Sequence, residues 1–177
     1  MERSQLMMVR KSLEDLPQLL LPHGYDIRFH QDGDEQRLTP VFRQCFDPGW
    51  NPDRILKTFV EDPVWSPNRM CVLCHGEEVV GTATAWECPE RRGHGGLHYL
   101  AVLPKHRQKG LGTALVVRVL QLLKDMGYPD VWLATDDFRL PAIRTYLSLG
   151  FEPVCQDKSH EERWEIVRHK LRAASAD

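Results

Sequence analysis

The stretch LAVLPKHRQKGLGTALVVRVL, residues 100–120, constrains the fold more than any other part of the 177-residue chain. A β-rich run, GLHYLAVLP (96–104), stops at Pro104, which has no N–H to give to a strand ladder. A basic turn with two glycines follows. Next, GLGTALVVRVLQLLKDMGY (110–128) carries Leu111, Leu115, Val119, Leu122 and Met126 on one helical stripe. Gly127 is a natural left-handed stop. A strand handing over to a long amphipathic helix needs a sheet for the helix to cover, so the unit belongs to a mixed α/β domain.

The turn between them has its own chemistry. The first turn of a helix carries unpaired N–H groups and a partial positive charge. Gly110 and Gly112 let a ligand approach the backbone, and Arg107 and Lys109 add full charges. Together they suit a phosphate or pyrophosphate. A plain basic surface turn has the same local pattern. The turn is not a Walker A loop, because no Gly-Lys-Ser/Thr follows. It lacks the third glycine of a dinucleotide fingerprint.

The rest of the chain supplies the other elements. GYDIRF (24–29) alternates as a strand does. DEQRLTPVFRQCF (34–46) is helical in spacing, with Pro40 as a flaw. NPDRILKTFVED (51–62) begins with Asn51 as N-cap and Pro52 in the first turn. RMCVLCHGEEVVGTATAWE (69–87) reads as a hairpin. DVWLAT (130–135) and FEPVCQ (151–156) read as strands around the helix LPAIRTYLSLGF (140–151). In 161–171, Trp164, Val167 and Leu171 favour helix over strand. The predicted order from residue 24 is β-α-α-β-β-β-α-β-α-β. Residues 1–22 read as an N-terminal extension: Leu6, Val9, Leu13, Leu16 and Leu20 fall at helical spacing, but Pro17 and Pro22 break it. The expectation is a broken or partly extended arm on a single domain spanning 23–177.

Composition narrows the function. A net charge of −2 disfavours nucleic acid as a partner. No apolar run is long enough to suggest a membrane span or export signal, and five cysteines at irregular spacing do not form a disulfide framework. A cytoplasmic setting is expected. CVLCH (71–75) matches a haem-attachment motif, but a strand sends Cys71 and Cys74 to opposite faces. His94 and His98 are separated by two glycines. No metal site is expected.

HYLAVLPKHRQKGLGTAL resembles the acetyl-CoA-binding motif of the GNAT N-acetyltransferases, Arg/Gln-x-x-Gly-x-Gly/Ala, met by Arg107, Gly110 and Gly112. LPAIRTYLSLGFEP resembles the family's C-terminal signature, one helix and one strand later. The resemblance covers roughly residues 24–155. It implies a mixed central sheet of the GNAT acyl-CoA N-acyltransferase type: antiparallel N-terminal strands and a parallel splayed pair, flanked by helices. It also implies acetyl-CoA as co-substrate. The backbone from Gln108 through Lys109, Gly110, Leu111 and Gly112 to Thr113 would cradle the pyrophosphate. Leu100, Ala101 and Val102 would pair with the pantetheine arm, and the Val102 N–H would polarise the thioester carbonyl. Ala142 and Ile143 would border the arm's other side.

Tyr146 matches the family's general acid. His98 resembles the histidine of the serotonin-acetylating branch, whose LHALAV stretch is close to LHYLAV here; a structural strand histidine is the alternative. On a regular strand His98, Leu100 and Val102 share a face. Arg139 stands where the family often has asparagine, which puts one polar contact to the donor in doubt and leaves room for a local ion pair. Asp136 and Asp137 either hold a cationic amine or cap the next turn, and Glu87 is a weaker acceptor-site candidate. Trp50, Trp65 and Trp86 are core or pocket walls. The expected activity is transfer of acetyl to a primary amine, on a small molecule or a peptide, by direct attack. The alternative is a non-catalytic acyl-CoA-binding or regulatory module. A homodimer is compatible with either.

Overall fold

The computed structural model describes residues 4–88 and 91–174. Seven strands form one sheet: β1 (Leu6–Arg10), β2 (Tyr25–Phe29), β3 (Met70–His75), β4 (Glu78–Glu87), β5 (Gly95–Val102), β6 (Val131–Thr135) and β7 (Glu152–Val154). Their spatial order is β2-β3-β4-β5-β6-β1-β7. All neighbouring pairs are antiparallel except β5 and β6.

The helices are α1 (Asp34–Cys45), α2 (Pro52–Ile55, continued by a π-helical turn over Leu56–Val60), α3 (Leu111–Asp125), α4 (Leu140–Ser148) and α5 (Lys158–Ala173). Asn51 caps α2 by accepting the Arg54 N–H at 2.9 Å. Asp157 caps α5, and Trp164 and Val167 bury that helix's apolar side. At the start of α1, Asp34 takes a two-pronged ion pair from Arg28 and the Gln31 N–H, which hold its carboxyl below the usual range against the cost of burial.

From Val79 to Ala85 every β4 residue is buried, the pattern of a strand covered on both faces. Helices α1 and α3 both pack on it. Cys71 and Cys74 of β3 reflect the two covers. Cys71 lies near Arg118 of α3, and burial pushes its thiol up to about 12. Cys74 lies near Arg28 and Arg37, the latter on α1.

Residues 6–10 are not an arm laid on the domain. They form β1, inserted between β6 and β7, with Leu6 opposite Thr135 and Arg10 opposite Val131. Leu6 and Met8 are completely buried. After β1 the chain crosses α3, where Glu14 meets Lys124, before reaching β2.

Two irregularities shape the centre of the sheet. β5 pairs with β6 only at Gly95↔Val131 and Gly96↔Trp132. A Cβ on Gly95 would lie 3.0 Å from the Asp130 carbonyl oxygen, so glycine permits this close approach. Beyond Gly96 the two strands splay apart. On the other side of β5 the register with β4 shifts between Thr82↔Ala101 and Thr84↔His98. Tyr99 and Leu100 therefore share Ala83 as their opposite, a β-bulge. Tyr99 carries φ 51°, a strained value for a bulky residue. The bulge cancels the regular alternation expected for His98, Leu100 and Val102.

Candidate active site

The splay opens beside the C-terminal half of β5. Leu103 N–H donates to Val80 O at 2.8 Å, which sets the hydrogen-bonding parity of the β4–β5 ladder. By that parity the polar groups of Ala101 face β4 and those of Val102 face away, into the splay. Two contacts agree. The Ala101 oxygen lies 2.6 Å from where a Gly81 Cβ would stand. The Val102 oxygen accepts from Arg107 Nε at 3.0 Å and from Cys45 Sγ at 3.5 Å. The Val102 carbonyl is thus occupied, and its N–H presents to the gap. Ala101, expected to offer its backbone to a ligand, belongs to the β4 ladder instead. Leu100 lies in the bulge itself.

The turn after β5 has the features of an anion cradle. Gln108 and Gly110 both adopt left-handed backbone, φ 61° and 74°. Gly110 precedes α3 with no side-chain cap, and the first intrahelical bond is Ala114 N–H to Gly110 O. The Leu111, Gly112 and Thr113 amides therefore lack helical partners and face outward as a group. Leu111 sinks its side chain into the core and anchors the turn. A Cβ on Gly112 would meet nothing within 4 Å, so the space before the first turn is open.

The two basic side chains do more than supply charge. Arg107 clamps the turn to the end of β5 through Val102 and reaches Cys45 with Nη2. Lys109 Nζ donates to the Tyr25 hydroxyl at 3.1 Å, and that hydroxyl also meets His106 Nδ1 at 2.8 Å.

On α4, which packs on α3, Ala142 is half-buried and Ile143 and Tyr146 are buried. Burial raises the Tyr146 phenol well above its ordinary value, and the charge of Arg139 opposes that shift. The same guanidinium acts on the Cys45 thiol and stacks 5.5 Å from the Phe46 ring at the end of α1. Arg139 thus links the start of α4 to the end of α1. Its Nε donates to Asp136 at 2.9 Å, the local ion pair anticipated from the sequence. Asp136 also takes Gln5 Nε2, and Asp137 pairs with Arg163 of α5. These carboxylates hold arginines. Glu87 accepts the Gly93 N–H and closes its loop.

His98 is half-buried on β5, with its ring 6.2 Å from that of Tyr99. Tyr99 is the hub of an aromatic wall that the sequence reading did not anticipate. Its ring lies 5.0–5.6 Å from Phe42, Phe46, Trp50 and Phe59. Trp50 is core, while Trp65 and Trp86 are half-buried at the edge of the same cluster. Cys45, Gly81 and Phe46 were also missed. Only Gly81 left a trace, as a lone glycine inside a strand pattern.

The chain is similar to known proteins in sequence and in fold. The family model described as Acetyltransferase (GNAT) family matches residues 36–151. This chain belongs to that family. It is 43% identical over 84 residues to rat (Rattus norvegicus) N-acetyltransferase 8B, covering 46% of this chain and 38% of that protein. To the human (Homo sapiens) protein of the same name it is 39% identical over 116 residues, 61% of this chain and 51% of that protein. The chain thus spans about half or less of the length of these relatives. A GCN5-related N-acetyltransferase from Sphaerobacter thermophilus has the same fold, with TM-score 0.72 at 21% identity over 86% of this chain and 50% of that one. So does diaminobutyrate acetyltransferase EctA from Paenibacillus lautus, solved with L-2,4-diaminobutyric acid and coenzyme A, with TM-score 0.57 at 18% identity over 70% and 73% of the two chains.

Proposed function

We propose that this chain transfers an acetyl group from acetyl-CoA to a primary amine by direct attack. The observation that carries this reading is the junction of an uncapped, open helix start with a splay into which the Val102 N–H presents. The Gln108–Thr113 backbone would hold the donor pyrophosphate. The Val102 N–H would stabilise the oxyanion that develops on the thioester carbonyl. Bound acetyl-CoA supplies the activated acyl carbon and a thiolate leaving group.

Tyr146 is the proposed acid for that thiolate. Burial raises the phenol, so it holds its proton at neutral pH but is a weaker acid, and the transfer would depend on its placement beside the departing sulfur. His98 is the proposed base for the incoming ammonium, four residues before Val102 on the same strand. The relatives named N-acetyltransferases support the reaction class, and the neighbour solved with coenzyme A and a diamine supports donor and acceptor chemistry.

The test begins with calorimetric titration of acetyl-CoA into wild type and Gly112→Trp, whose indole would fill the open space before α3. The expected result is binding lost in the variant while its melting temperature holds. Thiol release from acetyl-CoA in the presence of an amine panel then separates the enzyme from a non-catalytic binder. Binding without thiol release for any amine would refute the transferase reading. His98→Ala is expected to lower kcat while leaving affinity for acetyl-CoA unchanged.

A further inference from the structure

Tyr25 opens β2 at the edge of the sheet, and its hydroxyl reaches a turn 81–84 residues further along the chain. It lies opposite His75 in the β2–β3 ladder, and His75 lies opposite Glu78 in the β3–β4 ladder. One residue from each of these strands thus joins a row across the sheet. The turn proposed to hold the pyrophosphate is tied to that row. Lys105 Nζ donates to Glu78 at 2.7 Å, His106 Nδ1 meets the Tyr25 hydroxyl at 2.8 Å, and Lys109 Nζ donates to the same hydroxyl at 3.1 Å. We propose that Tyr25 is a positioning residue for donor binding: its hydroxyl holds the Lys109 ammonium in place to meet the pyrophosphate of the acyl-CoA donor. The inference rests on the transferase reading above.

Proton counting fixes the direction of these bonds. An ammonium can only donate, so the Tyr25 oxygen accepts from Lys109. The phenolic proton then goes to His106 Nδ1, which accepts it. His106 is therefore the neutral tautomer with its proton on Nε2, and burial favours that neutral form by holding the imidazole below its ordinary value. Nε2 faces the Glu78 carboxylate at 3.8 Å. Tyr25 cannot swing away without leaving the buried His106 unpaired at Nδ1, which is costly. The His75 ring, 4.6 Å from that of Tyr25, packs it from the neighbouring strand.

Holding Lys109 matters for the ligand. An ammonium has three donors, Tyr25 uses one, and the others remain for phosphate oxygens. Lys109 is exposed, and a free lysine would lose rotamer freedom on meeting a phosphate. A lysine already held has lost it before binding, and such preorganisation raises affinity. The Tyr25 ring adds to the hold, with Nζ 5.6 Å from its centroid. The backbone on either side of Lys109 is set as well, by the left-handed Gln108 and Gly110.

The test is a double-mutant cycle on CoA affinity, by calorimetry on the full chain at a temperature where each variant is folded. Lys109→Met, an exposed substitution, is expected to weaken CoA about tenfold. Tyr25→Phe keeps the ring, removes the hydroxyl and is expected to weaken CoA about threefold. The double variant is expected to bind as Lys109→Met does, because Tyr25 acts through Lys109. If Tyr25→Phe merely loosened the turn, the two losses would multiply to about thirtyfold, and that result would overturn the assignment. Unchanged CoA affinity in either single variant would overturn it too. Nitrogen-15 NMR of the wild type gives a second readout. The Lys109 ammonium, identified by its absence in Lys109→Met, is expected to give a separate, slowly exchanging signal before CoA is added and to shift when it binds. An ammonium averaged with the other lysines in the free protein would overturn the assignment. Folded wild type that binds no CoA would overturn the transferase reading with it, whereas CoA binding with multiplying losses would overturn the role of Tyr25 alone.

Discussion

A single methyl group at Gly81 should act on the proposed acyl-transfer site from the opposite side of β5. Gly81 lies opposite Val102 in the β4–β5 ladder. A Cβ there would stand 2.6 Å from the Ala101 oxygen, 3.1 Å from a Leu73 methyl and 3.4 Å from a Val102 methyl. The leucine can rotate, but the carbonyl is part of the ladder. A carbon–oxygen contact settles near 3.3–3.6 Å, so β5 must retreat by about 0.7 Å or more. Overpacking of this kind costs roughly 1–3 kcal/mol. For a chain of this length each kcal/mol lowers the melting temperature by about 2–4 °C. Gly81→Ala is therefore expected to melt roughly 2–12 °C lower, measured without donor, because a bound ligand would mask the loss. The retreat also carries the Val102 N–H into the splay, so affinity for acetyl-CoA is expected to fall under conditions where the variant is still folded. Gly112→Ala is the control for melting temperature alone, since its Cβ meets no protein atom within 4 Å. If Gly81→Ala melted within about 1 °C of wild type and bound acetyl-CoA unchanged, the close β4–β5 approach and the parity drawn from it would be wrong.

Other perturbations test other parts. Asp137→Ala strips the ion pair from the largely buried Arg163 side chain and loosens the docking of α5, at a cost of about 1–3 kcal/mol, read from a denaturant midpoint. His30 and His106 both have folded-state pKa values lowered, first by burial. Their stabilising contribution is complete above the unfolded value of about 6.5 and is lost as pH falls through the folded values, so urea midpoints are expected to drop on the acid side, less steeply in His106→Phe. Tyr146→Phe is expected to lower kcat by about 100-fold with little change in KM for acetyl-CoA, and the wild-type rate is expected to show no alkaline loss at an ordinary phenol pKa, because burial keeps that proton in place.

The elements from residue 24 onward were legible because their signals are local. The stripe on α3, the Asn51–Pro52 start of α2 and the Gly150 stop after α4 each depend on neighbours in sequence. The basic glycine turn after β5 was legible as a turn for the same reason. The bulge was not, because it is a mismatch between two strands and neither strand carries it alone. Tyr99 takes a strained backbone angle only because the β4–β5 ladder and the aromatic wall around it determine its place. Arg107 and Lys109 read as free charges, yet one is claimed by Val102 and the other by Tyr25, contacts made by folding. β1 was misread for a different reason. Apolar residues at helical spacing across two prolines suggested a broken or partly extended arm on the surface, whereas LMMVR is buried by strands 120 or more residues away, which no local pattern announces.

That long-range strand gives the N-terminus a structural weight that an extension would not have. β6 is held to β5 by two register pairs and to β1 by five. Without β1, the splayed edge of β6 would be matched by a second open edge, and β7 would lose its only neighbour in the sheet order. Leu6, Met8 and Val9 are all buried, and each such side chain contributes roughly 1.5–3 kcal/mol. Their sum, about 5–9 kcal/mol, rivals the 5–15 kcal/mol by which whole domains are stable. Deleting residues 1–10 is therefore expected to give a chain without a cooperative thermal transition or near-ultraviolet dichroism, not a trimmed and active domain. Adding a synthetic peptide of residues 1–12 is expected to restore the transition in part, because it refills one slot of an otherwise native sheet. A truncated chain that melts cooperatively at the wild-type temperature would show that β1 is dispensable and that the domain starts at β2.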